Sequence, residues 1–370
     1  MAARTGHAPV IAPRAGQVLP KSNASGQFLA MLLTMKYIDG LPLARMEYIL
    51  GRMGVRVSRA TLARWVIQAA EQMKPLIDRL QARLMTSPVI QMDETPVQVL
   101  KEPDRDPSTK SYMWVQRGGP PDKPIVLYHY APSRSSQVPL KLLEGWKGYL
   151  MVDGYAGYDA VGRQPGVEHM ACWVHARRGF MDAMKLQPKG QRGRADEMIA
   201  MVAELYAIEK NHRHEDDAAR LQARQSESQK VLDRIRAWLD LHQPVTPPKS
   251  ALGEAISYMD KYWPRLSRYI ERGDLPIDNN ASENAIRPFV MGRKAWLFSD
   301  TPAGADASAL IYSLVETAKA NGLEPWTWLC RVMRDLPDIR VTGQWDSLLP
   351  WNFRGDELIT QACDSKAPTS

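Results

Sequence analysis

Residues 148–153, GYLMVD, form a run that is almost wholly apolar and ends in an acid. A strand with no polar face has no side to offer water, so it belongs at a buried, central place in a sheet. The segments before it have a different texture. PVIQMDETPVQVL (88–100) alternates and is rich in β-branched residues; SYMWVQR (111–117) and PIVLYHY (124–130) follow a polar loop and a Gly-containing turn. These three read as an antiparallel meander. Residues 135–144 suit a short helix, and VEHMACWV (167–174) suits a fifth strand. The order βββ-α-β-α-β predicts a mixed α/β sheet with the first and fourth strands adjacent at its centre.

Helical periodicity fills most of the remainder. Helices are expected at 27–38, 43–51 and 59–84, with Ser58 as N-cap of the third. From 176 to 272 no strand signal appears; residues 192–242 are charged and helical in pattern, and an apolar helix is expected at 252–270. Residues 278–320 are again helical, with breaks expected at Pro288 and at 299–306. The segment from 325 ends in QWDSLLPWNF, and residues 1–26, rich in Ala, Pro, Gly and Ser, read as a flexible tail. At 370 residues and 44% hydrophobic, the chain can form two or three domains and is not disordered. No run reaches the roughly 18 apolar residues of a membrane span, and no signal peptide is evident. The three cysteines, Cys172, Cys330 and Cys363, are odd in number and widely spaced, which excludes a disulfide framework and points to a reducing compartment, the cytoplasm.

The net charge of +7 is unevenly placed. Residues 1–90 hold twelve Lys and Arg against four Asp and Glu, and the other 280 residues are close to neutral. Localised positive charge is the footprint of a phosphate-binding surface. Two helices joined by a Gly-containing turn, the second opening SRATLARW, fit a helix-turn-helix, in which Ser58, Arg59, Thr61 and Arg64 would face the major groove. A plain helical hairpin with solvated arginines fits the same residues.

Two acids stand in apolar strands: Asp93 among Val89, Ile90, Met92 and Val97, and Asp153 at the end of the buried strand. A carboxylate there is costly unless it is paired or binds a cation, and two placed together invite a divalent ion. Each taken alone also fits a turn or cap residue. Glu283, in DNNASENAIRP (278–288), would project from the first turn of a helix; a capping box explains it equally well. Cys172 and His175 are two ligands, too few to close a tetrahedral zinc site, so Cys172 is expected to pack. His175, Arg177 and Arg178 at the strand end, and Arg287, Arg293 and Lys294 after Glu283, can approach a phosphate or simply be solvated. Trp296, Trp326, Trp328, Trp345 and Trp351 suit a core better than base stacking.

With these motifs in place, the chain resembles the IS66 family of insertion-sequence transposases, DDE enzymes on an RNase H-like fold. The resemblance runs from about residue 21 to 353. It is carried by KYIDGLPLARMEYILGRMGVRVSRATLARW (36–65), MDET (92–95), VDGYAGYD (152–159), CWVHARRGF (172–180), DNNASENAIRP (278–288), GRKAWLF (292–298), SLVETAKANGLEPWTWL (313–329) and LLPWNF (348–353). It implies that Asp93, Asp153 and Glu283 are catalytic and metal-binding, holding two Mg²⁺ ions (or Mn²⁺) roughly 3.5–4 Å apart for in-line cleavage and strand transfer without a covalent protein–DNA intermediate. The implied organisation is a tail (1–26), a helix-turn-helix region (27–87), an RNase H-like core in two parts (88–175 and 278–324) interrupted by a helical insertion (176–277), and a C-terminal segment (325–370). The implied partners are DNA ends and target, a second copy in a dimer or larger assembly, and companion proteins of the same element, in a bacterial cytoplasm with no membrane. The sequence departs from the family pattern twice. Residues 1–90 contain no cysteine, so the usual N-terminal zinc-binding segment is not expected here, and Asn284 stands where Arg often follows the glutamate. Two rivals share these residues: a catalytically inactive DNA-binding remnant, and an RNase H-like nuclease that cuts without joining.

Overall fold

The computed structural model describes residues 16–187 and 192–353. Most of the expected tail, residues 1–15, and Cys363 lie outside the described residues. From Val18 the chain is packed: Val18 and Leu19 are buried, and Arg340 donates to the carbonyls of Gln17 and Val18.

Four helices come first: α1 (Gly26–Tyr37), α2 (Leu43–Arg52), α3 (Arg59–Gln72) and α4 (Lys74–Leu84). One helix was expected over 59–84. It breaks at Met73, because Pro75 has no N–H and is accepted only in the first turn of a new helix. The sheet strands are β1 (Val89–Gln98), β2 (Lys110–Gly118), β3 (Ile125–Ala131), β4 (Gly148–Val152) and β5 (Val167–Ala171), with α5 (Gln137–Leu142) between β3 and β4. Their spatial order is β3-β2-β1-β4-β5. β1 pairs antiparallel with β2 and parallel with β4, so the first and fourth strands are neighbours at the centre. The mixed α/β fold with a helical insertion, expected of an RNase H-like core, is present.

The fifth strand ends earlier than its apolar run. β5 stops at Ala171, opposite the last residue of β4, and α6 (Trp173–Lys185) begins at once with Cys172 as N-cap. An apolar run alone does not distinguish a strand from a buried helical turn. The insertion continues with α7 (Arg194–Asn211) and α8 (Asp217–Ala223). The π-helical turn Arg224–Ser228 leads into α9 (Gln229–His242), and α10 (Ala251–Ser267) follows. The chain then returns through α11 (Asn280–Trp296), α12 (Pro302–Ala320) and α13 (Pro325–Thr342). Pro288 does not break α11, because Ile286 and Phe289 beside it are buried and their packing offsets the lost hydrogen bond. The described part of the C-terminal segment opens with a helix: Glu324 caps α13 by accepting from Trp326 and Thr327 N–H, with Pro325 at its first position.

The sheet separates two cores. One joins Ile90, Met92, Trp114 and Leu127 to α1, α3, α4, α12 and α13; the other joins Met151, Met170 and Trp173 to α6, α7, α9 and α10. The outer edge of β3 is covered rather than left open. Ser313 and Thr317 of α12 accept from Tyr128 and Val126 N–H at 2.7 and 3.1 Å, doing for that edge what a sixth strand would do. In the second core Arg224, 1% exposed, donates to both Glu209 oxygens and to the carbonyls of Tyr269, Arg272 and Leu275. It thereby fixes the segment that leads back to α11. Arg224→Ala leaves the half-buried Glu209 carboxylate and three carbonyls without their donor, so it should cost about 3–5 kcal/mol of stability, seen as a lowered urea midpoint.

Candidate active site

Side chains alternate along β1, so Gln91 and Asp93 face the insertion helices while Met92 and Glu94 face the first core. The parallel register sets Val89 against Tyr149 and Gln91 against Met151. Carried two residues further, that register places Asp93 opposite Asp153 on the same face. Both acids also bond backbone close by: Asp93 Oδ1, midway along β1, accepts from Glu94 N–H at 2.8 Å, and Asp153 Oδ1, just past the end of β4, from Tyr155 N–H at 2.9 Å.

Glu283 reaches this face because the segment before α11 is stitched to the sheet. Gln91 Nε2 donates to the Asp278 carbonyl at 3.0 Å, and Asn279 Nδ2 donates to the Met92 carbonyl at 2.8 Å. Asn279 N–H donates to Cys172 Sγ at 3.2 Å, and Trp173 N–H to the Ile277 carbonyl. Asp278 Oδ2 accepts from Tyr206 of α7 at 3.0 Å. Asn279 makes no side-chain cap, and Glu283 enters no capping box. It faces an open cleft of about 300 Å³ lined by Asp93, His175, Arg178, Glu283, Ile286, Arg287 and Val290.

Of the residues singled out from sequence, Asp93, Glu283, His175, Arg178 and Arg287 therefore share one cleft. Asp153 is not in its lining, yet its charge acts on Asp93. Burial, then the charges of Glu94, Asp153 and Glu283, push the Asp93 carboxyl up to about 7. His175 sits in the first turn of α6 rather than at a strand end, and its Nδ1 lies 3.7 Å from Glu283 Oε1. Both atoms are buried without a hydrogen-bond partner, as is Asn279 Oδ1. Cys172 Sγ, His175 and a Glu283 oxygen lie within 4.8 Å of one another. The thiol accepts from Asn279 N–H, and burial pushes it up to about 11. Arg177 is exposed beside the cleft and Lys294 is exposed further along α11. Arg293 turns back to donate to Thr95 Oγ1 at 3.1 Å.

Sequence reasoning missed the brace on the other face of β1. Glu94, with its side chain 2% exposed, accepts from Arg134 Nε and Nη2 at 2.8 and 2.6 Å and from Tyr158 at 2.5 Å. Arg134 lies 3.8 Å over the Tyr155 ring, and the Tyr155 hydroxyl donates to the Arg134 carbonyl at 2.5 Å. One arginine thus ties the middle of the Asp93 strand to the turn after Asp153. The signal was available in MDET and VDGYAGYD, where an acid directly after Asp93 must point to the opposite face.

In the first helices, Ser58 caps α3 by accepting from Thr61 N–H at 3.2 Å, and the two hydroxyls bond each other at 3.0 Å. Arg45, Arg52, Arg56, Arg59 and Arg64 are exposed, and none enters an ion pair among the described residues.

This is a mixed α/β enzyme core with acids on adjacent central strands, and comparison places it among nucleic-acid-processing enzymes, the transposases. Residues 21–307 match the family model described as "Transposase IS66 family", and residues 313–351 match "IS66 C-terminal element". The chain belongs to the IS66 transposase family. It is 31% identical over 362 residues to the uncharacterized protein y4jD of Sinorhizobium fredii (strain NBRC 101917 / NGR234), covering 94% of this chain and 70% of that one. It is 30% identical over 344 residues to y4qI of the same organism, covering 90% and 63%, and 27% identical over 359 residues to y4hP, covering 92% and 64%. The chain thus spans about two thirds of the length of these relatives. No helix among the described residues is long and apolar enough to cross a membrane.

The raised Asp93 carboxyl has a stability consequence. Its folded-state value lies above its unfolded one, so the folded chain holds the extra proton between about pH 4 and pH 7. Stability from this group is greatest below that window, falls as pH rises through it, and stays lost above. In EDTA, wild type should lose stability relative to Asp93→Asn between pH 5 and pH 8, as read by Tm. Parallel curves for the two proteins would contradict the shift.

Proposed function

We propose that the chain is a DDE-type DNA transposase that cleaves and joins the ends of an insertion sequence, with Asp93, Asp153 and Glu283 as its catalytic carboxylates. The observation carrying this reading is the convergence of Asp93 and Glu283 on one cleft, with Asp153 placed opposite Asp93 by strand register. The donor set fits a hard divalent cation: three carboxylates, one with a buried oxygen that has no hydrogen-bond partner. Asp93, Asp153 and Glu283 would hold two Mg²⁺ ions, with Mn²⁺ as a substitute. Bound there, the ions supply charge stabilisation to the attacking and leaving oxygens of an in-line phosphoryl displacement. The protein's own part is orientation. Arg178 and Arg287 line the cleft and can pair with phosphate oxygens, and His175 stands beside Glu283 as a further donor. The Glu94–Arg134 brace holds β1 and the turn after Asp153 in place from behind.

DNA binding is assigned first to the helical head. Arg59 and Arg64 project from the opening turns of α3, with Ser58 and Thr61 fixing the start of that helix. Arg177 and Lys294 extend the basic surface around the cleft. Bringing two DNA ends together requires at least a dimer, which companion proteins of the same element would join.

Two experiments test it. Asp93→Asn, Asp153→Asn and Glu283→Gln should each reduce Mg²⁺-dependent cleavage and strand transfer by at least about a hundredfold while still binding DNA. Joining at the wild-type level by any one of them sinks the triad, and cleavage without joining by wild type supports a simple nuclease instead. Arg59→Ala with Arg64→Ala should weaken end binding and lower the salt dependence of log K by about two. An unchanged salt slope removes α3 from the DNA interface.

A further inference from the structure

α11 carries Glu283 in its first turn and ends in a strained turn. Leu297 has φ 67° and ψ −52°, and Phe298 N–H bonds the Trp296 carbonyl at 2.9 Å. That is a γ-turn of the rare kind with positive φ at its centre. Positive φ at a bulky residue is an outlier that persists only where the surroundings over-determine it. Here they do. Just past the turn, Ser299 N–H bonds the Gln98 carbonyl, and Leu100 and Lys101 N–H bond the Ser299 and Asp300 carbonyls, so the chain is locked to the end of the Asp93 strand. Just before it, Trp296 packs edge-on against buried Phe289 at 5.5 Å. The turn is therefore rigid, and it presents apolar side chains to water: Leu297 is 64% and Phe298 42% exposed. Burial gains the monomer little there, so the strain buys nothing within the isolated chain.

The surroundings indicate the partner. Arg287, Met291 and Lys294 are exposed at helical spacing between the cleft and the turn, so α11 offers a basic stripe that ends in an apolar tip. The neighbouring acid, Asp300, is neutralised by Lys101 at 2.9 Å. A basic track with a fixed apolar tip matches a polyanion with apolar faces inside it, which is DNA with partly unstacked bases. From Glu283 to Leu297 the helix rises about 21 Å, which is about six base pairs of duplex at 3.4 Å each.

We propose that Leu297 and Phe298 form an apolar wedge that packs against bases of the element-end DNA about six base pairs from the cut site, while Arg287 and Lys294 hold its backbone. This inference rests on the transposase reading.

The test uses the full chain and a duplex of the element's terminal sequence carrying 2-aminopurine at successive positions. Leu297→Gly removes both the side chain and the penalty on positive φ, so its Tm should equal or exceed that of wild type. Leu297→Gly combined with Phe298→Ala should lose at least about half of the fluorescence rise near the sixth base pair and cut about tenfold more slowly. The salt dependence of its binding should match wild type, because no charge is removed. Wild-type fluorescence and cutting by the double variant overturn the wedge. A double variant altered only in self-association, seen by light scattering with an unchanged DNA response, also overturns it and assigns the tip to a second copy. A wild-type chain that cuts no DNA overturns the transposase reading itself, which separates the two failures.

Discussion

Asn279 makes two hydrogen bonds on which the candidate site depends. Its side chain donates to the carbonyl of Met92, and its backbone N–H donates to the sulfur of Cys172. The first bond fixes the start of α11 against the residue preceding Asp93; the second fixes it against the junction of β5 and α6. Three segments far apart in the chain are joined within one side chain's length. Glu283, one turn into α11, then has to face the cleft, and His175, one turn into α6, has to stand beside it. Buried bonds of this kind are costly to lose, since each leaves an unpaired polar group behind.

The insertion supports the same geometry. α6, α7, α9 and α10 form a core of their own, and its buried Arg224 holds the backbone between Tyr269 and Leu275. That backbone runs directly into Ile277, Asp278 and Asn279. Tyr206 of α7 adds a bond to Asp278. The helices inserted between β5 and α11 thus position Glu283 in the candidate cleft, and the opposite face of β1 is braced by Glu94 and Arg134. The central strand is held from both sides, around an Asp93 whose carboxyl burial and neighbouring acids push upward.

Much of this was legible in the chain itself. The apolar run at 148–153 required a central strand, and the alternating runs before it required a meander, because a face exposed to water and a face buried in a core demand different residues. Asp93 and Asp153 stood out because an acid in an apolar strand needs a reason. What sequence left open was the choice between equivalent patterns. Residues 172–174 are apolar whether they extend β5 or open α6. Pro288 ends a helix in isolation but not where Ile286 and Phe289 are buried around it. Glu283 satisfied a capping box as well as a site.

The sequence by itself determined the mixed sheet, its central pair of strands, the helical insertion and the basic head, since each follows from hydrophobic period, chain order or charge, all of which are local or additive. Only the tertiary structure decided where Glu283 points, that His175 belongs to a helix start, that Glu94 lies behind the site with Arg134, and that Leu297 is held at positive φ in water. Each of those depends on hydrogen bonds between segments many residues apart, and no period or composition encodes which of the available partners a buried polar group will find.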